Sequence, residues 1–308
     1  MTTAEHAPPA ADGHDRLTRF LIETAGVRGV HVRLDETWRQ IRERAEYPAA
    51  AAELLGEAAA AAALFTGHAK VDGRLSVQLR GDGALRTLFA ECTAAGTLRG
   101  IVQLAEEGGE VSRDLGQLGD QAVLAITIEN PSVGGREPIR YQGLVALESD
   151  SLAGAFEGYF RQSEQLPTRL LLAADGERAA GLMLQKLPGD GGDEDGWTRV
   201  GALFETLRDG ELLELPAQTL LHRLFHEDGA QVLGGKPLSF ACSCSRERVE
   251  AMLVSLGRDE AQAAVDAAGG QAQVRCEFCG QTYRFDGDEV AGLFAAAAVE
   301  MDAPQRVQ

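Results

Sequence analysis

The sequence predicts an α+β fold: an N-terminal domain with an antiparallel sheet and packed helices, then a helical linker, then a small C-terminal α+β domain. Three observations carry that expectation. Alternating apolar runs punctuated by glycine turns recur from Leu75 to Leu187, the pattern of hairpins in an antiparallel sheet. Apolar residues then recur at helical spacing from Trp197 to Asp228. Finally, four of the five cysteines fall between residues 242 and 279 as two close pairs, which is how a domain too small for a large core gathers cross-linking side chains.

At 308 residues the chain suggests two domains, or one with an appended module. Hydrophobic residues make up 44% of it, and with no apolar run near about 18 residues the expectation is a soluble globular protein without a membrane span. Residues 1–14 hold Ala and Pro but no basic cluster leading into an apolar core, so they read as a disordered tail rather than a secretory or transit signal. A cytoplasmic location follows, where paired cysteines hold metal or sense oxidants more often than they form permanent bridges. The 29 Lys and Arg against 47 Asp and Glu leave a net charge of −18. A field of that sign repels phosphate backbones and argues against a nucleic-acid partner.

Along the chain, Val27, Val30, Val32 and Leu34 alternate with polar residues as in a strand, and Asp35-Glu36-Thr37 opens a helix. Trp38 to Phe65 reads as one or two packing helices interrupted near Pro48, rich in alanine from Ala49 to Ala63. Strands are expected at Leu75–Leu79, Leu85–Glu91, Thr97–Leu104, Ala122–Glu129 and Ile139–Leu147. Cys92, alone at a strand end, reads as buried filler. Ser151 to Glu164 reads as a Ser-capped helix, followed by strands at Arg169–Ala174 and Ala179–Leu187. The Gly- and Asp-rich stretch from Pro188 to Gly196 is too polar to pack and marks a boundary. The expected organisation is a tail over 1–14, a main α+β domain over 15–190, a flexible and helical linker over 191–239, a C-terminal domain over 240–295 and a tail over 296–308.

No nucleophile, base and orienting acid stand in a recognisable spacing, so no enzyme is expected. His222 and His226 are four apart, but Arg223 stands where a zinc protease needs Glu. Gly235-Lys236 lacks the first glycine and the Ser/Thr of a phosphate loop and reads as a turn.

The chemistry lies in the cysteines. Cys242 and Cys244 form a C-x-C pair and Cys276 and Cys279 a C-x-x-C pair. Two such pairs joined by a long spacer supply the four thiolates that tetrahedral zinc accepts, so one Zn2+ per chain is expected on Cys242, Cys244, Cys276 and Cys279. Gly280 allows the turn after the second pair, short strands flank that pair, and a helix follows the first pair from Ser245 to Leu256. Three readings fit the spacing: a structural staple, a redox switch and a nucleic-acid finger. The charge argues against the last.

The residues around the pairs, Cys242-Ser243-Cys244-Ser245-Arg246-Glu247-Arg248 and Val274 to Asp286, resemble the heat shock protein 33 family. The likeness extends to Tyr159-Phe160-Arg161-Gln162-Ser163-Glu164-Gln165-Leu166-Pro167-Thr168, to Leu224-Phe225-His226-Glu227-Asp228-Gly229 and to Val27-Arg28-Gly29-Val30 with Arg33-Leu34. It covers about Asp15 to Ala295. The resemblance implies a zinc-containing, redox-activated holdase, inactive when reduced. It implies that oxidation joins Cys242 with Cys244 and Cys276 with Cys279, releases zinc, and spreads unfolding into the linker to bind unfolding client proteins. It further implies a monomer when reduced and a homodimer when oxidised. The linker residues expected to be uncovered are Leu203, Phe204, Leu207, Leu221, Leu224 and Phe225. The alternative is a constitutive zinc-stapled interaction module whose cysteines never cycle; a thiol oxidoreductase using Cys276 and Cys279 lacks the βαβ context its motif needs.

Overall fold

A computed structural model describes residues 14–106, 108–132, 137–189 and 192–302, with side chains to 295. The expected N-terminal tail, apart from His14, lies outside the described residues, as do 190–191 of the expected boundary and 303–308 of the expected C-terminal tail. The chain divides into two compact units, 1–241 and 242–308.

The first unit is built from two antiparallel sheets around one helix. β1 (Arg16–Ile22) and β2 (Val27–Leu34) lead through α1 (Glu36–Arg42) to α2 (Ala49–His68). β3 (Arg74–Arg80), β4 (Leu85–Thr93), β5 (Thr97–Leu104), β6 (Val123–Asn130) and β7 (Ile139–Val145) follow, then α3 (Leu152–Tyr159), β8 (Thr168–Ala174) and β9 (Ala179–Lys186). Three short helices, α4 (Gly196–Glu205), α5 (Asp209–Glu214) and α6 (Ala217–Phe225), precede β10 (Gln231–Pro237) and β11 (Ser239–Phe240). One sheet has the order β10-β1-β2-β9-β8 and the other β11-β5-β4-β3-β6-β7. The two-residue β11 pairs parallel to β5; the other pairings are antiparallel. The α+β fold class expected from the sequence is thus observed.

Helix α2 explains the alanine run. It packs against strands of both sheets, and Ala58 to Ala63 are wholly buried. A helix covered on all sides by sheet needs small side chains to let the backbones approach: a Cβ on Gly56 would stand 2.5 Å from that of Ala174. By length and composition this helix could cross a membrane, which corrects the expectation that no run is so apolar; 83% of the apolar window is buried inside the fold, as a core helix requires.

The other face of the five-stranded sheet carries a second core. Phe20, Ile22, Val27, Leu182 and Leu184 meet Val200, Phe204, Leu212, Leu220, Leu221 and Phe225 from α4, α5 and α6, and Phe20 stacks on Phe225 with centroids 6.3 Å apart. Residues 192–239, within the stretch that composition assigns to a linker, pack and pair inside this unit. β10 is the sheet's edge, registered on β1 from Arg16↔Pro237 to Leu21↔Gln231. Gly235-Lys236, expected as a turn, lies inside that strand, and neither β1 nor β10 was expected.

Residues 151–164 also differ from the single helix expected. Ser151 does cap α3, its hydroxyl accepting from Gly154 N–H at 3.2 Å, but Phe160–Glu164 widens into a π-helical turn ending at Gln165 with φ 56°. Cys92 is buried in the main core, and burial pushes its thiol up to about 11, where little nucleophilic thiolate exists.

The second unit contains α7 (Arg246–Leu256), α8 (Arg258–Ala267), the hairpin β12 (Gln271–Arg275) and β13 (Thr282–Asp286), and α9 (Gly287–Asp302). α8 and α9 were not expected, and α9 runs into the stretch assigned to a tail. Among the residues with described side chains, the unit's core holds seven buried residues: Val249, Leu253, Ala261, Val265, Ala272, Phe285 and Val290.

Candidate metal centre

Each cysteine pair is positioned by a short-range device. Cys242 and Cys244 lie outside helix and strand, just before α7. The helix start fixes that chain: Ser245 Oγ accepts from Arg248 N–H at 3.3 Å, a capping bond, and Arg248 Nη1 donates back to Ser243 O at 2.9 Å. Cys276 and Cys279 lie in the turn of the β12–β13 hairpin, whose register runs from Gln271↔Asp286 to Arg275↔Thr282. There Gly280 N–H donates to Cys276 O at 2.8 Å and Cys276 N–H to Gln281 O at 2.9 Å. The turn is closed by Gly280 at φ 72°, a left-handed conformation that a side chain disfavours.

The four sulfurs converge within 4.8 Å of one another. Cys242 Sγ and Cys276 Sγ are 3.6 Å apart, and Cys244 Sγ and Cys279 Sγ 3.3 Å. A tetrahedron with metal–sulfur bonds of about 2.3 Å has edges of about 3.8 Å, so this half-buried set fits a tetrahedral metal. It is the single group of three or more His, Cys, Asp or Glu ligands drawn together among the described residues. All five cysteines are outside disulfides.

Both of these short contacts run between the pairs. A single ion held by all four sulfurs would join the chain before α7 to the hairpin. The sulfurs are unequal as acids. Burial raises Cys242 and pushes Cys279 up to about 12, while Cys244, against its own burial, is brought down to about 7 by hydrogen bonds from Tyr283 and the neighbouring thiols. Tyr283 Oη donates to Cys244 Sγ at 3.2 Å, and that bond pushes the phenol up to about 12. Sequence reasoning treated Tyr283 only as a strand residue. Its signal was positional: it lies four residues after Cys279 in β13, two before the core residue Phe285.

A polar clamp supports the site. Arg246 lies over the Phe285 ring at 4.2 Å, donates to Arg284 O and pairs with Glu289 at 2.7 Å. Asp286 and Glu289 form a capping box at the start of α9, each accepting from the other's backbone N–H at 2.8 and 3.0 Å.

The remaining expected residues lie elsewhere. Phe204, Leu207, Leu221 and Phe225 are buried in the second core, with Leu203 and Leu224 partly buried against it. His222 and His226 stack with centroids 5.3 Å apart on the exposed side of α6, and the metal-ligand group of the described residues does not include them.

The architecture has known counterparts. The Hsp33 protein family model matches residues 15–286. A "33 kDa chaperonin" of Ectopseudomonas mendocina is 43% identical over 298 residues, 95% of this chain and 99% of that protein. One from Pseudomonas fluorescens is 41% identical, covering 95% of this chain and 97% of that protein. The crystal structure of a 33 kDa chaperonin, a heat shock protein 33 homologue from Thermotoga maritima, superimposes with a TM-score of 0.76 over 93% of this chain and all of that one, at 23% identity, and so shares the fold. The sequence match over residues 15–286 and these relatives show that the chain belongs to the Hsp33 family.

Proposed function

We propose that this chain is a cytoplasmic, redox-regulated holdase whose reduced form binds one Zn2+ through Cys242, Cys244, Cys276 and Cys279. The observation that carries the reading is four mutually close thiols in a unit whose core, among the residues with described side chains, is a small cluster of seven buried apolar residues. A core of that kind supplies about 3–5 kcal/mol. A bound zinc ion supplies a four-way cross-link worth about 10–16 kcal/mol of apparent binding free energy and keeps the thiols deprotonated.

Oxidation by a peroxide consumes the ligands. A Cys276 or Cys279 thiolate attacks one peroxide oxygen, the O–O bond breaks with hydroxide leaving, and the sulfur becomes a sulfenic acid; the other thiolate then displaces the sulfenic hydroxyl, and both hydroxides end as water after protonation. The disulfide takes up the two electrons' worth of oxidation, and the same sequence joins Cys242 to Cys244. Disulfide sulfurs are neutral and no longer hold a dication, so the second unit is left with its small core alone and unfolds. In this reading α4, α5 and α6 then release from the sheet, and Leu203, Phe204, Leu207, Leu221, Leu224 and Phe225 meet unfolding clients. The apolar face they cover is continuous in the reduced fold. Residues 191–239 are thus a conditional cover and 242–295 the sensor, with a monomer when reduced and a homodimer when oxidised. Holding clients, rather than chemistry on them, is the activity.

The test is zinc content and suppression of client aggregation on one preparation, before and after peroxide at elevated temperature. One zinc per chain, its loss on oxidation and protection only afterwards support the switch. Retained zinc with unchanged protection leaves a constitutive zinc-stapled interaction module in its place.

A further inference from the structure

The family-like segment Tyr159–Thr168 is not used by the cysteine site. It borders a separate cavity of about 290 Å³ in the first unit. The cavity's walls are largely apolar: Phe65 and Phe160, edge to face with centroids 5.3 Å apart, with Leu75, Ile126 and Ile128 from β3 and β6. Phe160 begins the π-helical turn, which closes on Gln165, the one non-glycine residue with positive φ among the described residues. Wide turns and left-handed residues of this kind recur at functional sites.

The cavity is also lined by a cation. Arg28, on β2, is half-buried and has no carboxylate partner among the described residues. Its Nε and Nη2 donate to Gln185 Oε1 at 3.2 and 2.5 Å, and Nη2 also to His68 Nε2 at 3.0 Å. Nη1 reaches no acceptor among the described residues. Arginine only donates, so His68 Nε2 accepts and its ring is neutral, in keeping with burial and the Arg28 charge, which hold it down at about 4. Gln185 Nε2 donates in turn to Thr168 Oγ1 at 3.1 Å, fixing the amide that orients the guanidinium. The hydroxyls of Tyr141 and Tyr159, 3.0 Å apart, and the exposed Lys70 and Glu164 also line it.

A desolvated guanidinium held by neutral partners is an incomplete ion pair, and a mostly apolar cavity beside it selects the rest of the counter-ion. We propose that this cavity binds a small monocarboxylic acid with an aromatic or branched apolar body, its carboxylate on Arg28 Nη1 and its body against Phe65, Phe160 and Ile128. Arg28 and Lys70 against Glu164 leave one net positive charge in the lining, which matches one negative charge and disfavours a dianion such as a phosphate monoester.

The test is calorimetric titration of the full reduced chain with phenylbutyrate and with the matching uncharged amide. The expected result is saturable binding of the acid, with the amide about tenfold weaker. Arg28→Met is expected to remove the preference, and Ile128→Trp, which fills the cavity, to remove binding of both; thermal unfolding shows whether each variant is folded. Equal affinity for acid and amide on the unaltered chain overturns the proposal. So does no binding at millimolar acid, and neither outcome depends on a variant. A folded Arg28→Met chain that still prefers the acid also overturns it.

Discussion

The Tyr283 hydroxyl donates to the Cys244 sulfur across 3.2 Å, tying a β13 side chain to the pair that precedes α7. Groups that hydrogen-bond a metal ligand orient it and stabilise its charged form, and their loss costs about 10–100-fold in metal affinity. Tyr283→Phe keeps the ring and removes only the donor. We expect zinc affinity, read by competition with a chromophoric chelator, to fall by about tenfold while the hairpin stays folded. Unchanged affinity shows the bond to be incidental.

Cys276 closes the hairpin turn through its backbone and faces Cys242 Sγ at 3.6 Å. In Cys276→Ser the backbone bonds remain and one thiolate goes. The expected outcome is loss of stoichiometric zinc and of amide protection across residues 246–295, with protection of α2 and β9 unchanged. The proposed sensor is in difficulty if this variant binds zinc stoichiometrically and switches normally.

His31 is fully buried in β2 and its Nε2 has no partner among the described residues. Burial, then the Arg33 charge, lowers it from 6.5 to about 4. As pH falls, the unfolded chain takes up this proton first, so the stability contribution is complete above about pH 6.5 and is lost progressively down to about 4. The slope from one such histidine is about 1.4 kcal/mol per pH unit inside that window. His68 acts in the same direction; Glu57, pushed up to about 7 by burial despite Arg113, acts in the opposite one. The quantity to measure is therefore the difference between the parent and His31→Leu in denaturant titrations at several pH values. The variant is expected to lose one histidine's share of the slope; parallel curves refute the assignment.

The parts legible in the sequence are those whose partners are near in the chain or whose chemistry is explicit. The cysteine pairs declare a four-sulfur site because each pair is set by one turn, and β3 to β6 declare themselves by alternation and glycine punctuation. What was not legible depends on distant partners. β10 contains Gly234, Gly235 and Pro237 and shows Val232 and Leu233 to solvent, so only its pairing with β1, more than 200 residues earlier, makes it a strand. α8 buries just Ala261 and Val265, too few for a periodic signal. The Tyr283 bond depends on a side-chain direction that spacing does not encode.

The cover formed by α4 to α6 has an ionic fastening that gives the conditional-cover reading its most direct test. Arg199 of α4 pairs with Asp228 at 2.7 Å, with Asp195 at 2.9 Å and with Asp193 at 3.1 Å. Asp228, just past the end of α6, is almost fully buried, and its backbone carbonyl accepts from Thr24 Oγ1 at 2.8 Å, beyond the end of β1. The three carboxylates raise the Arg199 pKa, Asp228 first. One guanidinium therefore links the first helix of the cover to the end of its last, and the same aspartate links that end to the sheet. Removing the arginine leaves Asp228 buried without its charged partner, a situation that favours opening because the carboxylate regains water. Arg199→Ala is expected to speed hydrogen exchange in α4 and α6 and to raise binding of an apolar dye in the reduced, zinc-loaded chain, without any oxidant. Cys276→Ser supplies the contrast, since it acts through the second unit. If Arg199→Ala leaves both exchange and dye binding at the parent level, the cover is held by its apolar face alone, and Phe20 against Phe225 becomes the contact to break.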